Sequence, residues 1–191
     1  MNQLDGRILR SQKSQNLILD AIIKLINNGN LYPTAQEVAK ESGIAIRTVF
    51  RQFADMESLL MKVDELINEK LLNEESYINM SLSLSERLKK IIDERVYFYN
   101  KYENIMIATV TQLPKYKILQ KKYPEYQKLL RKRTEKIIPE LLNIKSNNQE
   151  LIDAYLSFGF YQRLKFQGLD KYNIAKSIYN QCKKLIKSSG E

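Results

Sequence analysis

Residues 34–53 of this chain read TAQEVAKESGIAIRTVFRQF. Thr34 follows Pro33 and is placed to cap a helix with its hydroxyl, after which Val38 and Ala39 fall on that helix's inner face. Gly43 stands where the helix must stop and the backbone must turn sharply, a position that favours a residue without Cβ. Ile44 can anchor the turn in a core. A second helix from about Ala45 turns Val49, Phe50 and Phe53 inward at helical spacing and offers Ile46, Arg47, Thr48 and Arg51 outward. Two helices joined by a three- or four-residue turn, the second short, polar and basic, follow the helix-turn-helix plan for entering a DNA major groove. An ordinary corner between two helices is the competing reading, and the surrounding pattern argues against it.

Working outward, glycine and proline are sparse and most segments carry apolar residues at helical spacing, so the expected fold class is all-α. A first helix is expected over Ser14–Asn28, with Leu17, Ile18, Ala21, Ile22, Leu25 and Ile26 as one apolar stripe and Gly29 as its end. Asp55 reads as the cap of a long fourth helix carrying Leu59, Leu60, Val63, Leu66, Ile67 and Leu71. Residues Ser76–Ser85 are a plausible break before a helix whose inward residues include Leu88, Ile92, Val96 and Tyr99. Pro114 and Pro124 are expected to divide the next stretch of chain into shorter helices, and Pro139 to kink or end one. A helix from about Gln149 to Gln167, a stop at Gly168, a cap at Asp170 and a final helix to about Lys187 complete the chain.

Composition limits the function more weakly than the motif does. The net charge is +9, but residues 1–56 carry seven Lys/Arg against five Asp/Glu, a net of +2, whereas residues 57–191 carry 24 against 17, a net of +7. The densest basic run, Lys115–Lys136, lies far from the helix-turn-helix and reads first as a solvated helix face. Charge alone therefore does not argue for DNA binding. No run of eighteen apolar residues occurs, so no membrane partner is expected, and the N-terminus lacks the pattern of a secretory signal. A cytoplasmic location is the simplest expectation. The chain has no His, no CxxC, no phosphate-binding glycine loop and no nucleophile elbow, and paired carboxylates such as Asp64/Glu65 sit on a charge-mixed helix. Neither catalytic residues nor a metal or cofactor is expected. The single cysteine, Cys182, reads as a small core or interface residue.

Taken together, residues 10–67 resemble the TetR/AcrR family of transcriptional regulators. The resemblance is carried by ILDAIIKLINNG, EVAKESGI, RTVFRQF and DMESLL, with the glycine and the spacing from Thr34 to Leu60 in place. Beyond this region it extends only to length, helical content and the last two helices. It implies an N-terminal three-helix bundle with the helix-turn-helix (residues 1–56, motif 34–53), joined by a long helix to a C-terminal ligand-sensing and dimerisation domain (57–191). It further implies a homodimer on double-stranded, pseudo-palindromic operator DNA, repression, and release by a small-molecule effector. Matched by position, Arg47, Thr48 and Arg51 face the groove, Ala45 and Ile46 pack at the N-terminal end of the recognition helix, Thr34 and Gln36 face the duplex, and Phe50 is counted among the DNA-binding positions. Two positions depart from the family: Phe50 where it usually has Tyr, and Met56 where it usually has Lys, both phosphate ligands. Loss of one charged phosphate contact would lower the salt slope by roughly 0.9 per half-site, with Arg51 and the arm residues Arg7, Arg10 and Lys13 as candidate replacements.

Two neighbouring major grooves require recognition helices about 34–36 Å apart, hence a rigid dimer. Tyr155, Leu156, Gly159 and Phe160, with Ile178 and Cys182 of the last helix, are the expected interface, although some of them must also serve an internal core. Arg95, Tyr99, Tyr102 and Met106 share roughly one side of adjacent segments and could line a ligand cavity, or equally be packing. A second reading keeps the DNA-binding role but places the C-terminal domain under a protein partner, with Lys115–Lys136 as the docking face.

Overall fold

The computed structural model describes residues 3–75 and 78–188, and among these there is no β-strand. The helices are α1 (Gln3–Asn27), α2 (Ala35–Ser42), α3 (Ile46–Gln52), α4 (Met56–Glu75), α5 (Leu84–Lys101), α6 (Glu103–Gln112), α7 (Lys117–Ile137), α8 (Ser146–Tyr155), α9 (Phe158–Phe166) and α10 (Lys171–Lys187), with a 3-10 turn at Pro139–Asn143 before α8. By spatial contact they form two compact units, one of Met1–Ile67 with Tyr102–Tyr123 and one of Asn68–Lys101 with Pro124–Glu191.

The first unit is built on α1. Its stripe of Ile18, Ala21, Ile22 and Ile26 is buried as the spacing predicts, together with Val38, Val49, Leu59 and Val63 from the next three helices. Leu17, expected on that stripe, is exposed at its edge. Asp55 accepts from the Ser58 backbone N–H at 2.7 Å and so starts α4, as a cap should. α6 and the start of α7 attach through polar groups that the local pattern does not reveal. The Asn104 amide donates to the Asn27 carbonyl (3.0 Å), that of Gln112 to the Leu31 carbonyl (3.1 Å), and the Ile118 N–H to the Glu57 carboxylate (2.7 Å). Thr109 donates to the buried Asp64 (3.2 Å). Burial and, after it, the charge of Asp64 push the Tyr123 phenol up.

In the second unit, α10 lays Ile174, Ile178 and Cys182 onto α5, whose Leu88, Ile92, Val96 and Tyr99 are buried as expected. Ser83 and Glu86 form a reciprocal cap that starts α5, and the hydroxyl of Ser83, followed by its backbone N–H, draws the Glu86 carboxyl down. Arg87, buried, donates to the Leu82 carbonyl (3.1 Å), the Ile137 carbonyl and the Glu140 carboxylate, so α5 is tied to the end of α7.

Several expectations are corrected. α1 begins at Gln3 instead of Ser14, so Arg7, Arg10 and Lys13 sit on helix and not on an extended arm. Arg10 donates to the Gly6 carbonyl one turn back (3.0 Å). Pro124 lies inside α7 and does not divide it; the ring costs the Gln120 carbonyl its helical donor, yet the helix runs on to Ile137. The single helix expected over Gln149–Gln167 is two. Ser157 donates to the Ala154 carbonyl (2.7 Å) and accepts from the Phe160 N–H (3.2 Å), so a serine that competes for backbone groups ends α8 and caps α9. Of the expected break at Ser76–Ser85, the first two residues lie outside the described residues, and the rest is non-helical up to Leu84.

Candidate nucleic-acid interface

The helix-turn-helix is assembled by short-range contacts. Thr34 accepts from the Glu37 N–H (3.3 Å), and its own N–H and hydroxyl donate to the Glu37 carboxylate (2.7 and 2.8 Å), a complete capping box at the start of α2. The Thr34 backbone bond and then its hydroxyl hold the Glu37 carboxyl below the ordinary 4.5 of a glutamate. Gly43 ends α2 at φ 67°, ψ 14°, a left-handed conformation that a Cβ penalises. The Ile44 N–H then donates to the Ser42 hydroxyl (3.3 Å), and α3 follows with no side-chain cap at Ala45. Val38, Val49 and Phe53 hold the pair against the core, and Lys24 of α1 reaches Glu41 of α2 at 2.5 Å.

This packing leaves one side of α3 open. Ala45, Ile46, Arg47 and Arg51 are exposed, Thr48 is half-buried, and Thr34 and Gln36 of the preceding segment are exposed. Phe50 is a correction: expected inward, it is 47% exposed, because Val49 and Phe53 one turn apart already fill the inner face. A bare phenyl on the same side as Arg47 and Arg51 offers apolar contact and no hydrogen bond. Met56 is half-buried at the start of α4.

One association across α1 and α3 was invisible in the sequence. The Ser11 hydroxyl and the Gln52 amide exchange hydrogen bonds (3.2 and 3.1 Å) across a separation of 41 residues. They hold Arg7 and Arg10 of α1 and Arg51 of α3 around one open groove. No local period announces such a pair.

The remaining expected sites are more dispersed. Arg95 and Tyr99 lie in the second unit, 3% exposed each, whereas Tyr102 and Met106 lie half-buried in the first. The Arg95 guanidinium donates to the Leu130 carbonyl (3.2 Å) and the Thr134 hydroxyl (2.8 Å), and Tyr99 donates to the Leu156 carbonyl (2.8 Å). Both therefore act here as packed internal groups and not as free handles for a ligand. Leu156, Ile178 and Cys182, expected at a dimer interface, are buried in the chain's own core, because the stripe of Ile178 and Cys182 on α10 packs onto α5 and α8, and Leu156 closes the end of α8. Burial pushes the Cys182 thiol up to about 12. Tyr155 and Phe160 are both half-buried and Gly159 is exposed, with the rings of Tyr155 and Phe160 4.8 Å apart. Among the described residues no three His, Cys, Asp or Glu side chains are grouped to hold a metal ion, and no helix is long and apolar enough to cross a membrane.

No family model and no curated protein matches the sequence. Solved structures do match. A transcriptional regulator from Rhodococcus sp. superposes with a TM-score of 0.73 at 14% identity, over 94% of this chain and 97% of its own. A TetR-family transcriptional regulator from Haemophilus influenzae gives 0.59 at 13% identity, over 90% and 98%. The transcriptional regulator FadR from Bacillus subtilis, solved in complex with stearoyl-CoA, gives 0.64 at 19% identity, over 87% and 96%. The architecture is thus an all-helical, helix-turn-helix-bearing one shared along nearly the whole chain. It is the fold of the TetR-family transcriptional regulators.

Proposed function

We propose that this chain is a sequence-specific, DNA-binding transcriptional regulator that acts as a homodimeric repressor and leaves its operator when a small molecule binds. The observation that carries this reading is the exposed side of α3, where Arg47 and Arg51 flank Ile46 and Phe50 on a helix held by a capped and glycine-turned partner. Arg47 and Arg51 supply forks for guanine edges, and Ala45 and Ile46 pack on sugar or thymine methyl groups. Thr34 and Gln36 meet the backbone and fix the register. The groove lined by Arg7, Arg10 and Arg51 supports our assignment of the phosphate contacts that Phe50 and Met56 cannot make. DNA contacts are assigned to residues 1–56, and sensing and dimerisation to 57–191.

The dimer reading draws on Gly159 and on the exposed Leu151 (43%) and Phe166 (75%) of α8 and α9, beside Tyr155 and Phe160. The effector reading draws on the stearoyl-CoA held by the Bacillus subtilis neighbour; for this chain the proposal extends to a small molecule, with no class assigned. Selection of bound duplexes from a random DNA pool is the test. Enrichment of a two-fold-symmetric motif is the expected result, and no enrichment over random duplex would sink sequence-specific regulation.

A further inference from the structure

A surface groove of about 450 Å³ lies between α5 and α10, within the second unit. That is inside the range of roughly 300–1,000 Å³ typical of small-molecule sites. Along α10, Tyr172, Ala175, Lys176 and Tyr179 fall at i, i+3, i+4 and i+7 and so share one face. Ala175 between the two tyrosines leaves a slot whose flanking Cα atoms stand about 10 Å apart along the helix. Ile92 of α5, itself buried, lies at the floor of the same groove. Its charged lining is Lys89 and Asp93 from α5 and Lys176 from α10, a net positive rim with its two cations supplied by different helices. The Lys176 ammonium lies 5.9 Å from the Tyr172 ring centre and that of Lys183 5.5 Å from the ring of Tyr179, so each phenol already has a cation beside it. Tyr172 is 72% exposed and presents a large aromatic surface to solvent.

We propose that this groove binds a small aromatic carboxylate. The two phenols bracket a flat ring, Ile92 and Ala175 pack beneath it, and Lys89 and Lys176 converge on the carboxylate. Asp93 and Asn180 stand ready to accept from a ring hydroxyl. A tyrosine at each end closes the slot to a long partner helix.

The test titrates 2-naphthoate, with neutral 2-naphthamide as comparison, into the full chain by calorimetry. One site per chain is expected, with a Kd on the order of 0.1–1 mM, and weaker binding of the amide. Lys89→Gln and Lys176→Gln should each weaken naphthoate by about two- to fivefold and leave the amide unchanged, as exposed ion pairs do. Ala175→Leu should fill the slot and abolish binding of both, with helicity and melting checked by circular dichroism. Should that variant melt early, Lys89→Glu takes its place, with a loss larger than that of the glutamine variant. Absence of saturable naphthoate binding overturns the proposal, and so does wild-type affinity in the lysine variants or in a folded Ala175→Leu protein.

Discussion

The helix-turn-helix and the packing around α5 place their polar groups in opposite ways. In the former, Thr34 and Glu37 bind each other three residues apart, Ile44 binds Ser42 two residues back, and the arginines of α3 are left facing out. In the latter, arginines are turned in. Arg95 finds its partners 35 and 39 residues away, Arg87 reaches 50 residues to Ile137, and Tyr99 reaches 57 to Leu156. A local motif can present charge to a partner because its stability does not depend on that charge. A buried arginine is the reverse: removing it leaves carbonyls and hydroxyls unsatisfied in a site closed to water.

This contrast ranks the expected effects of substitution. Arg95→Met should be the most damaging, lowering unfolding free energy by about 3 kcal/mol through the loss of two charge-assisted bonds; urea titration measures it, and a loss below half that would break the contrast. Arg47→Ala should leave urea stability unchanged but cost roughly 2 kcal/mol of operator affinity and relax specificity at one base pair. A comparable loss on random duplex would show it to be a phosphate contact instead. Gly43→Val should destabilise by about 1–2 kcal/mol in the same urea titration, since a β-branched residue must enter a left-handed conformation.

Thr34→Ala should cost about 1 kcal/mol, and it carries a pH signature. The folded Glu37 carboxyl lies below 4.5, so its contribution is present above that pH and fades as pH falls through the folded value. The gap between Thr34→Ala and wild type should therefore narrow in acid, down to what the Thr34 hydroxyl gains by accepting from the Glu37 N–H. A gap independent of pH would detach Glu37 from the cap. The smallest effect expected is a gain: Phe50→Tyr supplies a hydroxyl on the exposed side of α3 and should tighten DNA binding by about 1 kcal/mol or less, equally on all sequences.

The same contrast explains what was legible. The stripe on α1 apart from Leu17, the caps at Thr34, Asp55 and Asp170 and the stop at Gly43 are written in residues within one or two turns of each other, and the structure has them where the spacing predicts. The exposed side of α3 was legible for the same reason, except at Phe50, where helical spacing could not say which of Val49, Phe50 and Phe53 the core had room for. The break at Ser157 was missed because the apolar stripe continues through it while the serine quietly satisfies both helix ends. Arg95, Tyr99, Tyr102 and Met106 looked like neighbours, yet they fall into two different units.

What the sequence by itself determined is the class of elements and the helix-turn-helix, because helical period, capping and glycine conformation act over a few residues. Which polar groups would be spent inside, and which left facing out, was decided only by tertiary structure. Arg51 and Arg95 are the same residue type on helices of the same kind; one lines an open groove and the other is sealed against Thr134. Whether a cation meets solvent or a buried carbonyl depends on what the rest of the chain packs over it, and that information is spread across separations no local pattern spans.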